Sequence, residues 1–362
     1  MSSKKVEKIQ SALVSWKVDG IIITNVINCR WVSGFTGSNC TLVITANEAL
    51  LGTDFRYWEQ AANQAPDFEL IKMGKTDDLA KTIDLVEAAK VKRLGFEANH
   101  MTVSTYSSLK RQSDDVGYTK LIPLNSKLEQ MRYVKSADEL EKIKASARIT
   151  DLVMGRVNDI VKPGMTEKAV AWELEKQIRE NGADGTAFNI IVAAGLNGSM
   201  AHHRPSDYQL KEGDTIIVDM GALLDGWHSD LTRTFFLGNA PDDKFSAVYD
   251  LVHMAQKNAL KHIKAGMLGT EIDYLAREVI EDAGHGEKFG HSLGHGVGLN
   301  IHEGPSFSTS FNKEIPAGAV MSVEPGVYLP DWGGVRIEDL VVVTEDGFEY
   351  LSHCPKNPII NI

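Results

Sequence analysis

Cysteine is scarce in this chain of 362 residues: Cys29, Cys40 and Cys354 stand apart, with no Cys-x-x-Cys spacing. That excludes a disulfide framework and a zinc–thiolate site. It points to a reducing compartment, with each thiol acting as a small buried apolar group. No run approaches the ~18 uninterrupted apolar residues of a membrane span. The opening stretch MSSKKVEKIQSALVSWKVDG has a helical pattern but no apolar core of signal-peptide length, so the expected location is the cytoplasm. Positive charge is in deficit, with 38 Lys and Arg against 49 Asp and Glu, a net charge of −11. The expected partners therefore include neither nucleic acid nor a membrane, and the balance suits a protein that gathers cations. Familiar catalytic signatures are missing too. There is no Walker lysine loop and no Gly-x-Ser-x-Gly elbow, and Gly294-x-Gly296-x-Gly298 lacks the spacing of a dinucleotide fingerprint.

What is present reads as a globular chain of about two domains. The first third alternates helical and strand signals. Strands are expected at Gly20–Thr24, Thr41–Thr45 and Lys92–Glu97, and helices over 4–16, 55–64 and 77–90, which makes a small α/β domain over residues 1–125. The period is lost around Leu121–Leu128, where Pro123 punctuates the chain, and the second domain is placed at 126–362. Ser136 with Glu139 forms a capping box that opens a helix. Further on, Val161–Gly182 and Ile263–Gly284 match at a constant offset of 102, through Lys162/Lys264, Gly164/Gly266, Met165/Met267, Ile178/Ile280 and Gly182/Gly284. The second domain is expected to be a duplicated α+β fold with a site where the halves meet.

The chemistry gathers in the β-rich parts. Ile216–Val218 reads as a buried strand ending on Asp219, and Asp225-Gly226 is a two-residue hairpin signal. A turn centred there pairs 224 with 227 and 219 with 232. Asp219 and Asp230 then share a face, about 7–8 Å apart on the diagonal, where two carboxylates can grip one cation. A pair of solvated strand-end aspartates accounts for this segment equally well. His291, His295 and His302 fall within twelve glycine-rich residues. Glu324 ends a strand from Val320, and Glu338 lies in a strand expected over Val335–Val343, two residues after Arg336. His202 and His203 precede the Asp219 strand and can reach the same face. Asp219, Asp230, His295, Glu324 and Glu338 make a hard, oxygen-rich set that suits two divalent ions sharing bridging carboxylates; Mn²⁺, Co²⁺ and Zn²⁺ all fit.

The segments VDMGALLDGWHSDLTRTF, GHSLGHGVGLNIHEGPS, MSVEPGVYLP and GGVRIED resemble the pita-bread metallopeptidases, in particular the aminopeptidase P and prolidase group. SGFTGSN and TDFRY resemble that group's first, creatinase-like α/β domain. The resemblance implies a C-terminal pita-bread domain of two pseudo-symmetric halves that cleaves Xaa-Pro bonds in proline-containing peptides. It implies Asp219, Asp230, His295, Glu324 and Glu338 as ligands to two metal ions, manganese by preference. Glu324 doubles as proton acceptor, His202, His291 and His302 line the substrate, His302 lies near the developing oxyanion, and Arg336 supports the metal carboxylates. Relatives are commonly homodimers. Some prolidases carry an arginine where this chain has Ser306, after His302-Glu303-Gly304-Pro305, and that leans the expectation toward an aminopeptidase acting on longer peptides, with a dipeptidase as the alternative. A non-catalytic binding module is the remote alternative, disfavoured because all five ligand positions are filled.

Overall fold

The computed structural model describes residues 2–74, 91–115 and 120–362, so the helix expected over 77–90 lies outside the described residues. The chain divides into two compact units, Met1–Met131 and Arg132–Ile362.

In the first unit a six-stranded mixed sheet runs in the order Glu69–Lys72, Ala49–Thr53, Thr41–Thr45, Gly20–Ile23, Arg93–Glu97, Lys120–Leu124. Gly20–Ile23 is buried along its whole length, as an apolar β-branched run demands at the sheet's centre. It pairs antiparallel with Thr41–Thr45 and parallel with Arg93–Glu97. The helix Ser2–Trp16 packs on Thr41–Thr45 and buries Val6, Ile9 and Leu13, which recur at helical spacing. The stretch read as aperiodic around Leu121–Leu128 instead holds the strand Lys120–Leu124 and the short helix Lys127–Met131. Pro123 misled the reading. A proline cannot donate to a ladder, yet an edge strand leaves one side unpaired, and Lys120–Leu124 is the sheet's edge.

The second unit repeats itself. The helices Glu167–Glu180 and Gly269–Asp282 keep the offset of 102, and so do their buried residues: Val170, Leu174 and Ile178 in one, Ile272, Ala276 and Ile280 in the other. Burying each of the larger aliphatics is worth about 1.5–3 kcal/mol. The turns ahead of the helices close alike, Gly164 N–H donating to Leu210 O at 2.8 Å and Gly266 N–H to Ile315 O at 2.9 Å. Gly164 and Gly266 also share φ near +85° and +83°. Each half then covers its own sheet. Ile191–Ala194, Thr215–Met220, Leu231–Leu237 and Ile359–Ile360 form the first. Glu303–Phe307, Gly294–Gly296, Val320–Val323, Asp339–Val343 and Phe348–Tyr350 form the second. Two separate apolar cores lie beneath them.

The capping box forms as expected, Ser136 accepting from Glu139 N–H and Glu139 from Ser136 N–H, and it starts the helix Ala137–Met154. That helix pins the path between two candidate ligands. Thr150 Oγ1 accepts from Ala222 N–H at 2.9 Å, and Ser146 Oγ donates to Ala222 O at 2.7 Å. Here the chain passes itself closely: a Cβ on Gly221 would lie 1.9 Å from Ser229 O. Gly221→Ala is therefore expected to cost at least about 1–3 kcal/mol. A urea midpoint equal to wild type would show that the backbones can part freely.

Candidate metal centre

The hairpin forms in the register read from the sequence. Asp225 and Gly226 both take positive φ, 50° and 72°, as a type I′ turn requires. Leu224 then faces Trp227 and Asp219 faces Thr232. Asp219 and Asp230 point the same way, and both are buried.

Glu324 and Glu338 arrive on another pair of strands, in a way the sequence did not show. Val335–Val343 is not one strand. Gly333–Arg336 pairs with Gly326–Leu329, whereas Asp339–Val343 pairs with Val320–Val323. Both pairings keep one register, with Val323 opposite Asp339 and Gly326 opposite Arg336. Between them the ladder is broken at Glu324-Pro325 and Ile337-Glu338. Pro325 has no N–H to give. The amides of the two glutamates leave the ladder, Glu324 N–H for Leu293 O at 2.8 Å and Glu338 N–H for Thr232 O at 3.1 Å. The break turns both carboxylates toward Asp219 and Asp230.

Carboxylate oxygens of Asp219, Asp230 and Glu338 all lie within 4.8 Å of one another. His295 Nε2 stands 3.2 Å from Glu324 Oε1 and 3.6 Å from Asp230 Oδ2. Its other ring nitrogen lies 3.1 Å from Gly296 O, a contact that assigns the N–H to Nδ1 and leaves the Nε2 lone pair for a ligand. The five expected ligands are thus one cluster. Burial pushes the Asp219 carboxyl up, and burial with acid–acid repulsion pushes Asp230 and Glu338 well above the usual range. Asp219 Oδ1 and Glu338 Oε1 are buried without a hydrogen-bond partner among the described residues. Buried carboxylates with orphaned oxygens are costly by themselves and become favourable around cations, so the residues fit a divalent pair.

Arg336 donates to Asp219 Oδ2 at 2.7 Å, and it reaches Glu338 only through Thr232, whose hydroxyl donates to Glu338 Oε2 at 2.8 Å. It also donates to the Tyr328 oxygen at 2.8 Å, and the Tyr328 hydroxyl lies 2.9 Å from His291 Nε2. With His291 Nδ1 engaging Ser292 O at 2.9 Å, both nitrogens of His291 are taken. His202, His291 and His302 line one cavity of about 440 Å³ with the ligand set. The His302 ring meets the His295 ring edge-on at 4.4 Å. His203 lines the cavity too, but its Nε2 is held 2.8 Å from Glu167 Oε2. Thr232, Tyr328 and Glu167 were not found from the sequence. Thr232 lies opposite Asp219 in the expected hairpin and Tyr328 falls in MSVEPGVYLP, so the sequence carries a signal for both; Glu167 offers none beyond its place in the first turn of a helix.

Behind His302, the Glu303 side chain is buried against Lys135 Nζ, at 2.7 Å, and Arg132. Burial works to raise the Glu303 carboxyl, and these two cations more than reverse that, holding it below its usual value. A depressed folded value means that the stabilisation is complete above the unfolded glutamate value of about 4.3 and is lost as pH falls through the folded value. Glu303→Ala strips the neutralising charge from two buried cations and is expected to cost about 3–5 kcal/mol at pH 7. Chemical denaturation of both proteins should show that gap narrowing in acid below about pH 4. A gap independent of pH would remove the ion pair as its source.

A centre of this kind on a duplicated frame is that of a metal-dependent hydrolase. Residues 141–345 match Metallopeptidase family M24, and residues 5–134 match the Creatinase/Prolidase N-terminal domain. The chain belongs to family M24, with a creatinase-type first domain and a pita-bread second domain. It is similar to the Xaa-Pro dipeptidase of Pyrococcus furiosus, 32% identical over 96% of this chain and 97% of that protein. The solved Xaa-Pro dipeptidase from Bacillus anthracis superposes with a TM-score of 0.95 at 36% identity, over 100% of both chains. An X-Pro aminopeptidase from Thermotoga maritima gives 0.87 at 38% identity, over 96% of this chain and 98% of that one.

Proposed function

We propose that this protein hydrolyses Xaa-Pro peptide bonds, with Asp219, Asp230, His295, Glu324 and Glu338 holding two divalent metal ions. The supporting observation is the buried carboxylate cluster with its two orphaned oxygens beside a histidine-lined cavity. The names of the similar proteins point to the same bond. The metal is assigned as Mn²⁺; Co²⁺ and Zn²⁺ fit the same donors. The catalytic unit is taken as 126–362, and the protein is taken to act as a cytoplasmic homodimer. No helix among the described residues is long and apolar enough to cross a membrane.

When bound, a divalent pair supplies Lewis acidity and lowers the pKa of water. The chain does the rest. Glu324, whose carboxylate stands beside His295, accepts the proton of the attacking water. Burial pushes the His302 imidazole below its usual pKa, and its N–H donates to the oxyanion that develops on the scissile carbonyl. His202 holds the substrate from the opposite half of the repeat. His291 is fixed by Tyr328 and Arg336 as a wall of the site. An Xaa-Pro bond has no amide N–H, so a site that grips the substrate through rigid groups loses nothing by its absence.

The test is turnover of a small peptide panel by manganese-loaded protein. Cleavage confined to bonds preceding proline is expected. Cleavage of Xaa-Ala at rates equal to Xaa-Pro would overturn the reading.

A further inference from the structure

Four carboxylates line the cavity among the described residues, and all four are in the metal set. Two arginines, Arg336 and Arg204, line it as well. Arg336 is committed to Asp219, Thr232, Tyr328 and the Ala201 carbonyl. The other, Arg204, is exposed, and its guanidinium makes no hydrogen bond or ion pair with a described residue.

The backbone that carries Arg204 is held on both sides. His203 Nε2 meets the fully buried Glu167 at 2.8 Å, and Ser206 gives both its N–H and its hydroxyl to the same carboxylate, at 2.9 and 2.7 Å. Pro205 fixes φ at the next position. The cation is therefore presented to the cavity from a tied loop, at low ordering cost on binding.

A peptide brings two charged ends. Its α-ammonium calls for an anion, and among the described residues the cavity has none outside the metal set. The carboxylate of a dipeptide sits one residue past the scissile bond and calls for a cation, and a planar guanidinium answers it with two parallel hydrogen bonds. We propose that Arg204 binds the C-terminal carboxylate of an Xaa-Pro dipeptide and so makes the dipeptide free acid the preferred substrate. This rests on the Xaa-Pro reading above. The lean toward longer peptides came from the uncharged Ser306, and Arg204 brings the missing charge from a different loop.

The experiment compares manganese-loaded wild type, Arg204→Met and Arg204→Lys on Xaa-Pro, on its C-terminal amide and on Xaa-Pro-Yaa. Wild type is expected to favour the acid over the amide by about tenfold to a hundredfold in kcat/KM, mostly through KM. That ratio should collapse toward one in Arg204→Met and return in part in Arg204→Lys. Calorimetry with a reduced-bond Xaa-Pro analogue, as acid and as amide, should show the same discrimination without turnover. Equal handling of acid and amide by wild type, or a ratio unchanged in Arg204→Met, overturns the assignment. Wild type that cleaves none of the three counts against the Xaa-Pro reading, and the calorimetric ratio still decides the role of Arg204.

Discussion

Glu324→Gln is expected to abolish turnover while leaving the fold as it is. The substitution keeps an oxygen that can accept the Ser322 hydroxyl, which meets Glu324 Oε1 at 2.9 Å, and leaves the Glu324 N–H bond to Leu293 O untouched. What it removes is the negative charge, and with it a ligand and the proton acceptor. Loss of general-base action alone is worth about 10²–10⁴ in rate. Steady-state assays with saturating manganese should therefore find well under a tenth of wild-type kcat, with an unchanged circular dichroism spectrum. Activity above a tenth would remove Glu324 from the role of proton acceptor.

Asp219→Asn should act on the metal first. An amide keeps a neutral oxygen for Arg336 but withdraws charge from the oxygen that has no partner among the described residues. Elemental analysis of dialysed protein should show manganese falling from about two ions per chain toward one. Ligand binding stabilises by an amount that grows with the ratio of concentration to Kd, about 2.7 kcal/mol at a hundredfold excess. Added manganese should accordingly raise the melting temperature of wild type more than that of the variant. Equal metal content in the two proteins would count against Asp219 as a ligand.

Much of this centre was legible because short-range rules fixed it. Asp225-Gly226 dictates a two-residue turn, and period-two alternation then fixes which faces Asp219 and Asp230 occupy. The repeat was readable because a glycine-bearing turn and a helix face both kept the offset of 102. Reading failed where sheets exchange strands. Val335 and Ile337 alternate with charged residues and Leu340–Val343 runs apolar, a pattern that reads as strand on both sides of the break at Ile337-Glu338; only the facing Pro325 hints at it. Side chains that act through others were also hidden. Tyr328 and Glu167 matter because of partners 37 and 36 residues away, and such distances carry no local periodicity. Lys120–Leu124 was missed for the opposite reason, since a proline that signals loop in isolation is harmless at an edge.

The two halves of the second unit each enclose a separate apolar core, yet Asp219 and Asp230 belong to one and His295, Glu324 and Glu338 to the other. A cation held by these side chains would be a clasp as well as a reagent. Prying the halves apart would then mean surrendering it, so occupancy of the centre would weld two lobes into one cooperative body.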